Sequence, residues 1–388
     1  VLGSNVATPT HAVNPTRVAA VTGGLPVTIP ADTVAGKNCG SGVAALYYGS
    51  LRIRSGDADT VLVLGMEAMS RISVSYDHAV AKLLFQFGKA RNLRDRVAGA
   101  LALFPALLNL KKYPPRVGIV LGLTDPMCDL IMGLTAENIA KDPALGITRE
   151  DQDAFAVRSH RRAAQAWKDG IFADEVVPMY VPEKSAYAAR DNGIREDASR
   201  ETFRDVKPVF DRRYGSVTPA NSSQITDAAA AVLLMEEEKA RALGLPILGY
   251  VKDYADFGYD PSCMGLAPVG AIAKLLTKTR LSLKDFALWE INEAFASVVL
   301  GISRILNSSS LMEGKFGRFG LTERLGEIPP DDLNPHGGAI ALGHPVGVSG
   351  LRLAMTALFE LKRRDAERAM ISACVGGGQG VAMIVERK

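Results

Sequence analysis

Gly40-Ser41-Gly42 opens a helical stretch, Val43 to Arg54, which ends in the charged turn Ser55-Gly56-Asp57-Ala58-Asp59 and leads into the β-rich run Thr60-Val61-Leu62-Val63-Leu64-Gly65. The same order returns near the other end of the chain. Gly347-Val348-Ser349-Gly350 opens a helix, Leu351 to Lys362, the turn Arg363-Arg364-Asp365 follows, and Ala369-Met370-Ile371-Ser372-Ala373-Cys374 reads as a strand. Ser41 to Val61 spans 20 residues and Ser349 to Met370 spans 21. Continuous apolar strands of this kind belong to sheets covered on both faces. The chain therefore reads as an α/β protein with two copies of a strand–helix–strand unit. A chance likeness between two common helix–strand units is the competing explanation.

Between the copies lies a long polar excursion, roughly 73–224. It contains a clear helix, Thr148 to Lys168, with a capping pattern in Thr148 and Asp151. The run Ala228 to Met235 returns the chain to the first unit, and Ile247 begins the second. The expected divisions are thus 1–72, 73–224, 225–246 and 247–388. Within the excursion, residues 79–118 carry eight basic side chains (Lys82, Lys89, Arg91, Arg94, Arg96, Lys111, Lys112, Arg116) against one acid, Asp95. Apolar clusters Leu83-Leu84-Phe85 and Leu101 to Leu110 alternate with them. A basic amphipathic helix can lie on an anionic membrane or against a partner subunit. The plainer reading is a helical lid with a solvated basic face.

Length and composition bound the rest. The chain has 388 residues, enough for two or three core-bearing units, and 47% of them are hydrophobic. That fits a folded α/β enzyme rather than a disordered chain. A net charge of +3 decides nothing about nucleic acid, and no nucleic-acid signature appears, so no such partner is expected. Cys39, Cys128, Cys263 and Cys374 are scattered without a CxxC pair, so neither a metal site nor a disulfide framework is indicated. The longest apolar run, Ala98 to Leu108, contains Pro105 and is far short of the ~20 residues that cross a bilayer. The chain starts at Val1, inside the strand-like Val1-Leu2-Gly3-Ser4, which suggests residues upstream.

Three residues stand out chemically. Cys39, in Lys37-Asn38-Cys39-Gly40-Ser41-Gly42, sits where a small-residue turn hands over to a helix. A helix N-terminus lowers a thiol's pKa and leaves N–H groups open to an oxyanion, so Cys39 reads as a nucleophile; a buried packing cysteine is the alternative. His344 is held in Gly343-His344-Pro345, a rigid setting that suits a base facing a thiol, against the alternative of a hydrogen-bonded structural histidine. Cys374 ends an apolar strand and enters Gly376-Gly377-Gly378-Gln379-Gly380, whose glycines permit close approach of a ligand. A phosphate-cradling loop is excluded there, because no Lys-Ser/Thr follows. Asn292 is either a holder of a water or carbonyl oxygen, or a helix N-cap.

These segments, together with Gly65-Met66-Glu67-Ala68-Met69-Ser70, Met132-Gly133-Leu134-Thr135-Ala136-Glu137-Asn138, Asn292-Glu293-Ala294-Phe295 and Cys374-Val375-Gly376-Gly377-Gly378, resemble the thiolases over nearly the whole chain. The resemblance implies the thiolase fold: duplicated βαβαβαββ halves in a five-layered α/β/α/β/α arrangement with an inserted loop domain, assembled as a homodimer or homotetramer. It implies that Cys39 attacks a 3-ketoacyl-CoA, that His344 takes the thiol proton, and that Cys374 protonates the departing acetyl-CoA carbanion or, in reverse, removes a proton from acetyl-CoA. The N–H groups of Cys39 and Gly376 would hold one oxyanion; His344 and a water on Asn292 would hold the other. Ala220-Asn221-Ser222-Ser223 resembles the pantetheine-binding loop and points to Ala220 and Ser223. Met132, Met264 and Phe295 would line the acyl and pantetheine channel, and Arg195 would touch the CoA nucleotide. Coenzyme A enters as substrate and no permanently bound cofactor is implied.

The resemblance also implies a location, the bacterial cytoplasm or the mitochondrial matrix. Thiolases carry another strand, helix and strand before the equivalent of Val1, about fifty residues, whose loss would remove central strands from the first sheet. The basic insert and Thr226-Asp227 resemble the thiolase subunit of fatty-acid β-oxidation complexes, although those subunits usually carry His in place of Asn292. Two other readings compete. A decarboxylating ketosynthase lacks a second cysteine, so Cys374 argues against it. A scaffolding pseudoenzyme would have lost one of Cys39, His344 and Cys374, and none has been replaced.

Overall fold

The computed structural model describes residues 1–6 and 14–387. The chain order begins with strand β1 (Leu2–Ser4), helix α1 (Pro15–Thr22), β2 (Asp32–Val34), α2 (Ser41–Arg54) and β3 (Thr60–Ala68). The excursion follows, with helices α3 (His78–Lys89), α4 (Leu93–Leu108), α5 (Met132–Ala140) and α6 (Arg149–Lys168), and the chain returns in β4 (Asp227–Met235). The second half contains β5 (Tyr250–Gly258), α7 (Ala267–Thr279), β6 (Leu288–Ile291), α8 (Ala296–Leu306), α9 (Ser349–Arg364), β7 (Arg368–Val375) and β8 (Gln379–Glu386).

Two four-stranded sheets result, ordered β4-β3-β1-β2 and β5-β8-β7-β6. Their correspondence is close. Parallel β1 and β3 in the first match parallel β6 and β7 in the second, and antiparallel β4 matches antiparallel β8. Even β2, parallel to β1, has a remnant in the isolated parallel bridge between Trp289 and Leu333. The two-copy reading of the sequence is thus realised strand by strand.

Helices α2 and α9 form the layer between the sheets, while α1 covers the outer face of the first sheet and α7 that of the second. One apolar cluster joins Val43 and Leu46 of α2, Leu351 and Leu361 of α9, Val61 and Val63 of β3, and Ile371 and Val385 of the second sheet. This gives five layers, α/β/α/β/α. The echoed glycines explain how the central helices come so close. A Cβ on Gly42 would lie 2.9 Å from the Leu351 backbone nitrogen, and one on Gly350 would lie 2.4 Å from that of Val43. Both approaches exclude a side chain.

Three expectations need correction. The second sheet carries β5 at its edge, beside β8, and the matching edge of β4 has no strand partner among the described residues. The centre of the first sheet is filled by β1 and β3. Residues 292–295 do not open a helix, since α8 begins at Ala296 with Phe295 in extended conformation. In the 79–118 segment the exposed surface is not a purely basic face, because large apolar side chains share it. Thr148 does cap α6 with Asp151 in a reciprocal box.

Candidate active site

The turn before α2 and the turn between β7 and β8 meet at Cys39. Asn38 Nδ2 donates to Gly376 O over 3.1 Å, holding the two turns together, and Asn38 adopts a left-handed φ of 44°. Gly377 and Gly378 have φ of 93° and 74°, a backbone that closes the β7–β8 hairpin and disfavours side chains. Asp125 accepts the Gly377 N–H at 2.9 Å, so the inserted segment also pins this turn. Met132, which starts α5, lies against Gly376, with its sulfur 3.4 Å from where a Cβ would stand.

The N–H groups of Gly376 and of Cys39 itself both point at the Cys39 sulfur. They do not lower its pKa below the free value. Burial outweighs them and, with the Glu67 charge acting the same way, pushes the thiol up to about 11. The expectation of a thiolate created by the helix terminus is therefore overturned: removing the sulfur from water costs more than the dipole returns. Cys374 is fully buried on β7, and burial followed by the nearby Cys39 sulfur holds its thiol well above the usual range. Both sulfurs are protonated at rest.

His344 stands near the end of the 334–345 segment and is linked through Asn292 to the strand that carries Cys374. Burial, with the Arg352 charge adding to it, pulls the imidazole down from 6.5 to about 4, so it is neutral. The hydrogen-bond network assigns its tautomer. Ser349 Oγ donates to Pro345 O at 3.0 Å and so accepts from His344 Nδ1 at 2.6 Å. Nε2 keeps its lone pair and faces Asn292 Nδ2 at 3.4 Å. Asn292 is buried, its backbone N–H bonded to Ser372 O two residues before Cys374. Its Oδ1 has no protein partner and is free to accept. The N-cap alternative for Asn292 is ruled out by the extended backbone up to Phe295.

Buried carboxylates hold the loops. Glu293 accepts from Ser159 Oγ, Asn334 Nδ2 and the Ile340 N–H, which fixes the 334–345 loop. Glu67 accepts from Asn5 Nδ2 and from the Gly347 N–H, tying the start of α9 to the end of β3. Sequence reasoning noted both residues inside motifs without assigning these roles. Ser349 was equally missed, although its place five residues after His344 was visible.

The remaining candidates divide. Phe295 and Ser222 form a β-bridge, and the Ser223 N–H donates to Ala294 O, so the 220–223 loop lies beside the Asn292 strand end. Ala220 is buried, Ser223 half-buried, and Phe295 stacks edge-on to Phe210. Met264 is buried in the main core cluster. Arg195 places its guanidinium over Phe203 and donates its backbone N–H to His160. Among the described residues no group of His, Cys, Asp and Glu is arranged to hold a metal.

Replacing Ser349 by alanine removes the acceptor that fixes the His344 tautomer. A drop of about tenfold in the rate of Cys39 acylation is expected, the size of one lost buried hydrogen bond. Stopped-flow acylation by a thioester measures it, with the circular dichroism spectrum unchanged.

Comparison with known proteins agrees with this geometry. The family described as thiolase, N-terminal domain, matches residues 1–238, and thiolase, C-terminal domain, matches residues 245–387. An acetyl-CoA acetyltransferase of Pseudomonas aeruginosa is 39% identical over 377 residues, covering 96% of this chain and 84% of that protein. One from Chromobacterium violaceum is 40% identical over 382 residues, with the same coverage. Human mitochondrial 3-ketoacyl-CoA thiolase in complex with CoA superposes with a TM-score of 0.82 at 33% identity, over 100% of this chain and 86% of that one. The Bacillus anthracis acetyl-CoA acetyltransferase gives 0.80 at 32% identity, over 99% and 86%. A half-buried and a buried thiol brought together by duplicated halves, an imidazole tied to the second thiol's strand through Asn292 and these matches across both halves place the chain in the thiolase family of acyltransferases.

Proposed function

We propose that this acyltransferase cleaves 3-ketoacyl-CoA with coenzyme A, giving acetyl-CoA and a shortened acyl-CoA. The observation that carries the reading is the meeting of Cys39 with Cys374 and the Gly376 N–H, with His344 tied to the Cys374 strand through Asn292. Cys39 passes its proton to His344 Nε2 and its sulfur attacks the 3-keto carbon, whose oxygen is received by the N–H groups of Cys39 and Gly376. The C2–C3 bond breaks. Its electron pair leaves as the enolate of acetyl-CoA, which takes the Cys374 proton. The enolate oxygen faces His344, now able to donate from Nε2, and a water held on Asn292 Oδ1. A second coenzyme A gives its thiol proton to the Cys374 sulfur and takes the acyl group. The Cys39 sulfur then recovers its proton from His344.

CoA is bound here as substrate, along the 220–223 loop with Met132 and Phe295. A human relative whose structure contains CoA supports coenzyme A as the substrate. The names of the bacterial relatives favour a second reading, condensation of two acetyl-CoA to acetoacetyl-CoA by the same steps reversed. A thiolysis assay across 3-ketoacyl-CoA substrates of increasing length separates the two. Sustained kcat/KM beyond the four-carbon substrate is expected; activity confined to acetoacetyl-CoA would sink the degradative reading and leave the second.

A further inference from the structure

We infer that the α3–α4 hairpin docks this protein on an anionic lipid surface. The two helices satisfy each other on their inner sides, where Val80, Leu103 and Ala106 are buried among Leu83, Leu84, Phe87 and Leu107. A second apolar row remains on the outside of α4. Leu93, Val97, Leu101, Phe104 and Leu108 are spaced by four, four, three and four residues and are between 52% and 82% exposed. At about 100° per residue they fall within an arc of about 80°, and at about 1.5 Å per residue the row is about 22 Å long. A contiguous exposed row of that size marks an interaction surface.

The charges around it select the partner. Arg94 and Arg96 flank the row at one end of α4, Lys111 and Lys112 follow its other end, and Lys82, Lys89 and Arg91 lie on α3 and the connecting turn. Among the described residues none of these seven pairs with a carboxylate; only Arg116 does, with Asp77. A second copy of the hairpin would bring seven unpaired cations against seven, so self-association through this face is disfavoured. Protein interfaces are depleted in lysine at their centres, whereas an apolar face ringed by Lys and Arg suits the headgroup region of an anionic bilayer. No helix among the described residues is long and apolar enough to cross a membrane, so the contact is superficial. This inference is independent of the substrate reading.

The test is co-flotation of the full chain with phosphatidylcholine vesicles with and without phosphatidylglycerol. Binding is expected only with phosphatidylglycerol, and weakening in about 0.5 M salt is expected as screening shortens the electrostatic range. The variant Leu101→Ser/Phe104→Ser/Leu108→Ser should lower partitioning by about 100-fold, at roughly fivefold per partly inserted side chain. Lys89→Glu/Arg94→Glu/Arg96→Glu, confined to exposed positions, should abolish the phosphatidylglycerol dependence even if the apolar variant fails to fold. Absence of binding to phosphatidylglycerol vesicles overturns the inference. So does undiminished binding by the charge variant, or a change of mass by light scattering, without lipid, that depends on the apolar row.

Discussion

Replacing Cys39 by alanine abolishes the acyl-enzyme and lowers turnover by at least about 10⁴-fold, the scale on which loss of a covalent nucleophile is felt. Mass spectrometry after mixing with acetyl-CoA should find no acetyl adduct on the variant and one on the parent chain. An adduct of equal yield on the variant would reassign the nucleophile. The resting state sharpens the expectation. Burial pushes the Cys39 thiol up to about 11, so on the proposed mechanism the nucleophile would be generated only as His344 accepts its proton. His344 is protonated only below about pH 4, so the acylation rate should stay flat from neutral pH down to about pH 5 and fall below that. Stability moves earlier. Between 6.5 and 4 the unfolded chain binds a proton at this histidine that the folded chain refuses, so stability falls as pH falls through that window, by about 3 kcal/mol. The rate and the unfolding midpoint should thus part company in that range, which a pH series of both measurements checks.

The architecture was legible because duplication writes itself twice. Gly42 and Gly350 occupy equivalent places in the echoed segments, and the structure makes them the contact at which α2 and α9 cross. Apolar runs marked β3, β4 and β7 to within three residues, most clearly β7, which is covered on both faces and has no polar alternation to confuse the reading. Cys39, Cys374 and His344 were legible through their glycine-rich surroundings. Their protonation was not. Desolvation depends on what encloses a group, so the helix-terminus argument for Cys39 pointed in the wrong direction. Ser349, Glu67 and Glu293 escaped for a related reason: the groups they hold lie on other turns of the chain, and only folding brings them together. In α4 the difficulty was different. Leu103 and Leu107 face α3 while Leu101 and Leu108 face outward, and a helix apolar on two sides hides from periodicity which side is covered.

Replacing Cys374 by serine separates the two halves of the reaction. A serine hydroxyl is a far weaker acid than even this elevated thiol, so the enolate loses its proton donor, and thiolysis of a 3-ketoacyl-CoA should fall by at least about 10³-fold. Exchange of the acetyl group between acetyl-CoA and Cys39 breaks no C–C bond and should persist within about tenfold. The comparison is internal to one variant, which guards against misreading a damaged fold. Serine also places a hydroxyl in a fully buried strand, at a cost of about 1–3 kcal/mol if it finds no partner, so a lowered melting temperature is expected alongside intact acylation. If both reactions fell together, Cys374 would be a packing residue of β7 and the proton would have to come from elsewhere. If thiolysis survived, His344 alone would serve both steps, and the nearness of the second sulfur to the first would have no part in the chemistry.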